Sequence, residues 1–122
     1  MLPGTIIIKG DELIIRPIDN EVWLTQSELA GLFECFTAKI ASNIRAILKT
    51  GVLDKTAACR IYYYRNGNSV EQYNLEMIIA LSFRIRSYNA DTFRGFIMRN
   101  VASRTSENQN IICRNWENFQ LN

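Results

Sequence analysis

The sequence predicts an α+β domain, a winged helix-turn-helix-like unit with an N-terminal β-hairpin and additional C-terminal helices. Two amphipathic helical patterns, one beginning at Thr25 and one centred on Ile44, are separated by about four residues, which is the spacing of a helix-turn-helix. Two extended runs around an Asn-Gly turn follow directly, in the position of a wing. The 122 residues suffice for one such domain and are too few for two of ordinary size.

The N-terminal segment predicts a β-hairpin. Residues 5–9 and 13–17 are rich in β-branched side chains and flank a turn at Gly10 and Asp11. We expect this hairpin to be structural and to cover one side of the core.

The first helix is predicted to begin at a capping box. The Thr25 hydroxyl can accept a backbone N–H of the first turn, and the Glu28 carboxylate can reach back to the backbone of Thr25. The apolar stripe that follows at helical spacing consists of Leu29, Leu32, Phe33 and Phe36.

The second helix is predicted over residues 37–49, with Gly51 as its C-terminal stop. Its inner face is formed by Ile40, Ile44, Ile47 and Leu48. The turn before it lacks the glycine that such turns often contain. Glu34 or Cys35 occupies that place, which predicts a different turn or a strain of roughly 1 kcal/mol.

Residues 59–64 and 69–73 predict a second hairpin around Arg65-Asn66-Gly67-Asn68, since Asn and Gly both tolerate positive φ. A third helix, central and buried, is predicted from Leu75 to about Ser87, with Asn74 as its N-cap. A fourth is predicted from Ala90 or Asp91 to about Ser103. The single domain would then cover residues 1–104, and residues 105–122 would form a tail.

Charge is distributed unevenly along the chain. Residues 37–104 contain eleven Lys and Arg against four Asp and Glu, whereas residues 1–36 are acidic. A segment this basic could neutralise several phosphates of a nucleic acid. The alternative is that these charges scatter over all faces and only keep the protein soluble.

The outward side of the second helix is the first candidate for contact with double-stranded DNA, because in helix-turn-helix proteins this helix enters the major groove. Asn43 is of the type that contacts adenine, and the basic side chains could reach guanine or phosphate. The alternative is an ordinary solvated face. The candidate residues are Thr37, Lys39, Ser42, Asn43, Arg45 and Lys49.

The second hairpin is the other candidate, with Arg60, Arg65 and Asn66 tracking a minor groove or a phosphate strand. Its three consecutive tyrosines, residues 62–64, alternate across the strand, so that at least one points outward. Five arginines later in the chain could contact phosphate or stabilise helix C-termini. These are Arg84, Arg86, Arg94, Arg99 and Arg104.

The residue types in the sequence give little support for catalysis. The chain has no histidine, and it shows neither a Gly-rich phosphate loop nor a cysteine pair at metal-binding spacing. We therefore expect no enzyme, no catalytic residues, no metal and no cofactor. Three cysteines at irregular spacing favour a reducing, cytoplasmic location, and no segment is apolar enough to span a membrane.

Two stretches resemble the RhuM virulence-protein family. They are VWLTQSELAGLF at residues 22–33 and YNLEMIIALSFRIRS at residues 73–87, the latter followed by Phe93 and Arg94. They occur in the family's order and approximate spacing. The resemblance implies a bacterial protein linked to mobile elements, with a DNA-binding module similar to the N-terminal modules of phage antirepressors.

The expected function is therefore DNA binding and transcriptional control. A homodimer is expected because one module contacts few base pairs. The alternative is a protein-interaction module that binds a protein partner, such as a repressor or a toxin partner, without direct DNA binding. A contiguous basic face would favour DNA, whereas an apolar patch around Trp23, Ile112 and Trp116 would favour a protein partner.

Overall fold

A computed structural model describes residues 5–18 and 21–107 of the chain, with side chains through residue 102. This part of the chain contains five helices and two small antiparallel sheets, so the predicted α+β class is confirmed. The predicted tail lies largely outside the described residues.

The first hairpin is present as predicted. Strands β1 (Thr5–Lys9) and β2 (Glu12–Arg16) pair antiparallel, with Ile7 opposite Ile14. Gly10 takes a positive φ of 57° in the turn, a conformation that suits glycine. Ile6 and Leu13 point into the core.

The second sheet has three strands, of which the sequence predicted two. Strand β3 (Trp23–Thr25) pairs with β5 (Ser69–Asn74), and β5 also pairs with β4 (Cys59–Tyr63), giving the order β3-β5-β4. Strand β3 was missed because three residues are too few to show an alternating pattern. Its pairing partner also lies some 50 residues later in the chain.

The two longer of the three helices between β3 and β4 form the predicted pair. Helix α1 (Gln26–Phe33) begins at the predicted capping box, in which Thr25 Oγ1 accepts the Glu28 N–H at 3.1 Å and Glu28 Oε1 accepts the Thr25 N–H at 2.9 Å. Helix α2 (Thr37–Thr50) ends at Gly51, whose φ of 77° is left-handed as expected. The predicted helix pair is confirmed.

The prediction that Phe36 belongs to the inner stripe of α1 is wrong. Helix α1 ends at Phe33, and Glu34 takes a left-handed conformation with φ 53°, which redirects the chain. Phe36 becomes the N-cap of α2, and 84% of its surface is exposed. The prediction continued the helical spacing of apolar residues to Phe36, past Phe33, where α1 ends.

Glu34 holds the positive φ that the missing glycine would have supplied. We expect Glu34→Gly to raise the free energy of unfolding by about 1 kcal/mol, because glycine has no Cβ to strain this conformation. Urea denaturation would measure the change. Glu76→Gly, the same substitution within a helix, should lower stability by about 1 kcal/mol. A destabilised Glu34→Gly protein would contradict a strained turn.

The turn of the second hairpin differs in detail from the prediction. The Tyr64 N–H donates to the Asn68 carbonyl at 2.8 Å, and the Gly67 N–H donates to the Tyr64 carbonyl at 3.1 Å. Only Gly67 has a positive φ, whereas Asn66 does not. The loop is therefore a three-residue loop, residues 65–67, with a glycine bulge, and only the glycine of the Asn-Gly pair takes a positive φ.

The remaining helices differ from prediction at their ends. A short helix, α3 (Lys55–Ala58), was not predicted. Helix α4 (Leu75–Ser82) is capped by Asn74 as predicted but ends five residues before Ser87. The apolar pattern continued because Ile85, in the turn after α4, is still buried. Helix α5 (Tyr88–Glu107) begins and ends beyond its predicted bounds, so the boundary placed at residue 104 lies inside it.

The core lies between the helices and both sheets. Phe33 and Phe93 meet edge to face, with ring centroids 5.7 Å apart, and both are fully buried. Helix α4 is central, as predicted, and α2 packs against α1 and α4. The largest other fully buried side chains are Leu29, Ile40, Met77, Ile78, Leu81 and Ile85.

Candidate nucleic-acid interface

Helix α2 has one buried side and one exposed side. Ile40, Ile44 and Ile47 are buried as predicted, because this side packs against α1 and α4. Asn43 is half-buried at the edge of the outward side. The other predicted contact residues of this helix are all exposed: Thr37, Lys39, Ser42, Arg45 and Lys49.

Both polar atoms of the Asn43 side-chain amide form hydrogen bonds. Its Oδ1 accepts a hydrogen bond from Arg84 Nε at 2.9 Å, and its Nδ2 donates to the Lys39 carbonyl at 2.9 Å. The first contact joins the segment after α4 to α2 and places the exposed guanidinium of Arg84 beside that helix. The sequence suggested Arg84 only as one of five arginines, since nothing in it relates residues 43 and 84.

Arg94 forms hydrogen bonds with the backbone of the segment after α4, which contains Arg84. Its Nη1 donates to the carbonyl of Ser82 and, at 3.3 Å, to that of Ile85, and its Nη2 bonds to Asp91. A cation at the C-terminus of α4 also opposes the negative end of the helix dipole. Arg94 therefore has the structural role that was one alternative for the arginine group.

Arg45 lies at the border of the outward side of α2 that is nearest the three-stranded sheet. It lines a shallow cleft together with Lys55, Glu71 and Tyr73. The Tyr73 hydroxyl accepts a hydrogen bond from Gln26 at 3.1 Å and donates one to Glu71 at 3.4 Å. Burial raises the pKa of the Tyr73 phenol, so this donor remains protonated at neutral pH. The exposed Glu71 carboxylate thus lines the cleft and accepts a hydrogen bond from Tyr73.

The cations around α2 form no ion pair with a described carboxylate. In the part of the chain with described side chains, the single ion pair joins Arg94 and Asp91. No described carboxylate pairs with the cations on or near α2, so their charges are available to an anionic ligand. They are Lys39, Arg45, Lys49, Lys55 and Arg84.

The predicted residues of the second hairpin separate into two groups. The Arg60 guanidinium lies 4.3 Å from the centre of the Trp23 ring, and its Nε donates to Gln72 at 2.9 Å. Arg65 and Asn66 are exposed at the tip, where Asn66 Oδ1 accepts the Asn68 N–H at 2.9 Å. Arg60 is thus held on the sheet, away from the tip.

The apolar patch suggested around Trp23, Ile112 and Trp116 does not form at Trp23. That ring is 8% exposed, and its Nε1 donates to Glu21 at 2.9 Å. Ile112 and Trp116 lie outside the described residues. The exposed apolar side chains of the sheet are instead Ile61, Tyr63 and Tyr64, which confirms that at least one hairpin tyrosine points outward.

The two described thiols are poorly suited to nucleophilic chemistry. Burial raises the pKa of both Cys35 and Cys59, and the positive charge of Lys39 only partly offsets this at Cys35. Both therefore remain protonated at neutral pH. Among the described side chains, no cluster of three or more Cys, Asp or Glu could hold a metal ion.

Over residues 5–18 and 21–107, no helix combines the length and apolar character needed to cross a bilayer. Comparison of the chain with protein-family models, with curated proteins and with solved structures finds no match.

Proposed function

We propose that this protein binds double-stranded DNA through a winged helix-turn-helix and controls transcription. In this proposal α2 enters the major groove and the β4–β5 hairpin is the wing. The topology supports it, because a tightly joined helix pair precedes the β4–β5 hairpin, and this hairpin pairs with β3, the strand that leads into α1. Such a pair presents its second helix to the major groove.

The observation that carries the proposal is the chemistry of the outward side of α2. Lys39, Arg45 and Lys49 are exposed and form no ion pair with a described carboxylate, and Arg84 adds a fourth cation beside them. The exposed residues between them, Ala38 and Ser42, are small. A helix with small residues among its cations can bring its backbone close to base edges while the long side chains reach phosphate.

The wing contributes through its tip rather than through its strands. Arg65 and Asn66 are exposed there and can reach the phosphate backbone beside the helix. Arg60 stabilises the sheet instead, since its guanidinium already stacks on Trp23 and bonds Gln72. We therefore revise the predicted wing contacts to Arg65 and Asn66.

Membership in the RhuM family belongs to the same proposal. The first similar stretch forms β3 and α1, and the second forms the end of β5, α4 and the segment that carries Arg84. The two stretches therefore form the helices against which α2 packs. Neither stretch contains the outward residues of α2. The corresponding biological role is that of a bacterial regulator linked to mobile elements. In this role the protein is cytoplasmic and dimeric and has no catalytic activity.

A protein-interaction module is the second candidate, and the outer strand of the sheet favours it. Strand β4 lies at an edge, and Ile61 and Tyr63 are exposed on one side of it. An edge strand with exposed apolar side chains can pair with a strand of another protein. In this case DNA would not bind, and a partner protein would protect β4 from hydrogen exchange.

Salt dependence of binding tests the first candidate. Fluorescence anisotropy with a mixed-sequence 24-base-pair duplex should show binding at about 50 mM salt. For four phosphate contacts, we expect affinity to fall roughly hundredfold at about 200 mM, because counterions are released on binding. Binding that is unaffected by salt, or no binding at tens of micromolar at the lower salt, would reject the proposal. The second outcome would favour the protein-interaction module.

A further inference from the structure

Phe36 has no evident role in folding. It is 84% exposed and occupies the N-cap position of α2, where its side chain makes no hydrogen bond. Serine, threonine, aspartate and asparagine are the residues that stabilise a helix from this position. A large aromatic side chain here neither caps the helix nor enters the core, so it requires another explanation.

Phe36 stands one turn before the exposed Lys39, whose N–H donates to the Phe36 carbonyl at 3.0 Å. Residues three apart lie on one face of a helix, whereas consecutive residues do not. Thr37 accordingly lies on another side, where it lines a pocket with Gln26 and Glu71. Phenylalanine is one of the side chains that make apolar contact with the 5-methyl group of thymine in the major groove.

Asn43, the residue of α2 that was predicted to contact adenine, already forms hydrogen bonds within the protein. Asn43 would need both its Oδ1 and its Nδ2 for a two-bond contact with adenine. Arg84 donates to the first, and the second donates to the Lys39 carbonyl. Phe36 remains exposed at the start of α2 for contact with a base edge, and the cations Lys39 and Arg84 lie beside Asn43 on the same helix.

We propose that Phe36 is an apolar reader of thymine methyl groups at the N-terminal end of α2. The inference rests on the proposed DNA-binding function and names what that site recognises. The neighbouring cations match a duplex better than an apolar protein groove, because they supply the phosphate contacts that bring the helix into the major groove. Phe36 is the specificity-determining residue, and 84% of its surface is exposed.

The experiment replaces thymidine with deoxyuridine, which removes only the 5-methyl group and keeps base pairing and charge. The duplex that the wild-type protein enriches from a random 24-base-pair library would be prepared in both forms. We expect the thymidine duplex to bind about fourfold more tightly for each methyl group that the protein contacts.

Phe36→Ser is the informative variant, because serine is a favourable N-cap and the protein should fold at least as stably as the wild type. It should bind the two duplexes equally. Tyr63→Ser is the matched control, since it removes an exposed aromatic side chain, 69% accessible, from strand β4. This control should keep the wild-type preference for thymidine.

The outcomes separate the inference from the function on which it rests. If the library yields no enriched duplex and no duplex binds, both the DNA-binding proposal and the methyl reader are rejected. If binding is salt-dependent but equal for the two duplexes, DNA binding stands and the methyl reader is rejected. If Phe36→Ser keeps the thymidine preference, the assignment to Phe36 is rejected.

Discussion

Replacing Phe93 with alanine is expected to lower the free energy of unfolding by about 3–5 kcal/mol. The ring is fully buried and packs edge to face against Phe33, with centroids 5.7 Å apart. Alanine removes both the apolar surface and the aromatic contact, and leaves a cavity between α1 and α5 that rigid helices cannot fill. Because domains of this size are stable by about 5–15 kcal/mol, the variant would be close to unfolding.

Urea denaturation followed by circular dichroism would measure this loss. Met98→Ala, on the same helix but 38% exposed, is the control and should change stability by less than about 1 kcal/mol. A loss below about 1 kcal/mol for Phe93→Ala would mean that α5 does not complete the core as described.

The double variant Lys39→Ala/Arg45→Ala is expected to bind duplex DNA about thirtyfold more weakly than the wild type at about 50 mM salt. This corresponds to about 1 kcal/mol for each lost phosphate contact. The slope of log affinity against log salt should become shallower by about two, since two fewer counterions are released. Alanine is a strong helix former, so α2 should remain folded.

Lys9→Ala/Arg16→Ala is the matched control, because it removes the same charge from the first hairpin. Both residues are exposed, and that hairpin packs mainly on α1 and α5. Affinity within about threefold of the wild type is expected for the control. An equal loss in both variants would show that binding follows net charge alone, which would contradict a localised interface on α2.

The proposed DNA interface contains residues that the sequence could suggest and residues that it could not. The outward side of α2 was predictable, because the buried positions Ile40, Ile44 and Ile47 define the opposite side of a helix by spacing alone. Arg84 could not be assigned to it. Its contact with Asn43 spans 41 residues and depends on where α4 ends.

Two assignments changed for the same reason. Arg60 and Trp23 look like a free cation and an exposed aromatic ring when each is considered alone. The β3-β5-β4 pairing places them on the two outer strands, on either side of β5, where the Arg60 guanidinium lies over the Trp23 ring. Phe36 looked like a core residue, and it became exposed when the left-handed Glu34 ended the periodicity of α1.

The sequence by itself determined the local elements of this protein: the capping box of Thr25 and Glu28, the N-cap at Asn74, the stop at Gly51 and both hairpins. Each depends on residues within a few positions of one another, where backbone geometry and hydrogen bonding act locally. Tertiary structure alone decided strand β3, the early end of α4 and the partners of Arg60 and Asn43. These depend on which distant segments pair and pack together, because hydrophobic periodicity shows which face of an element is buried but does not show against which segment.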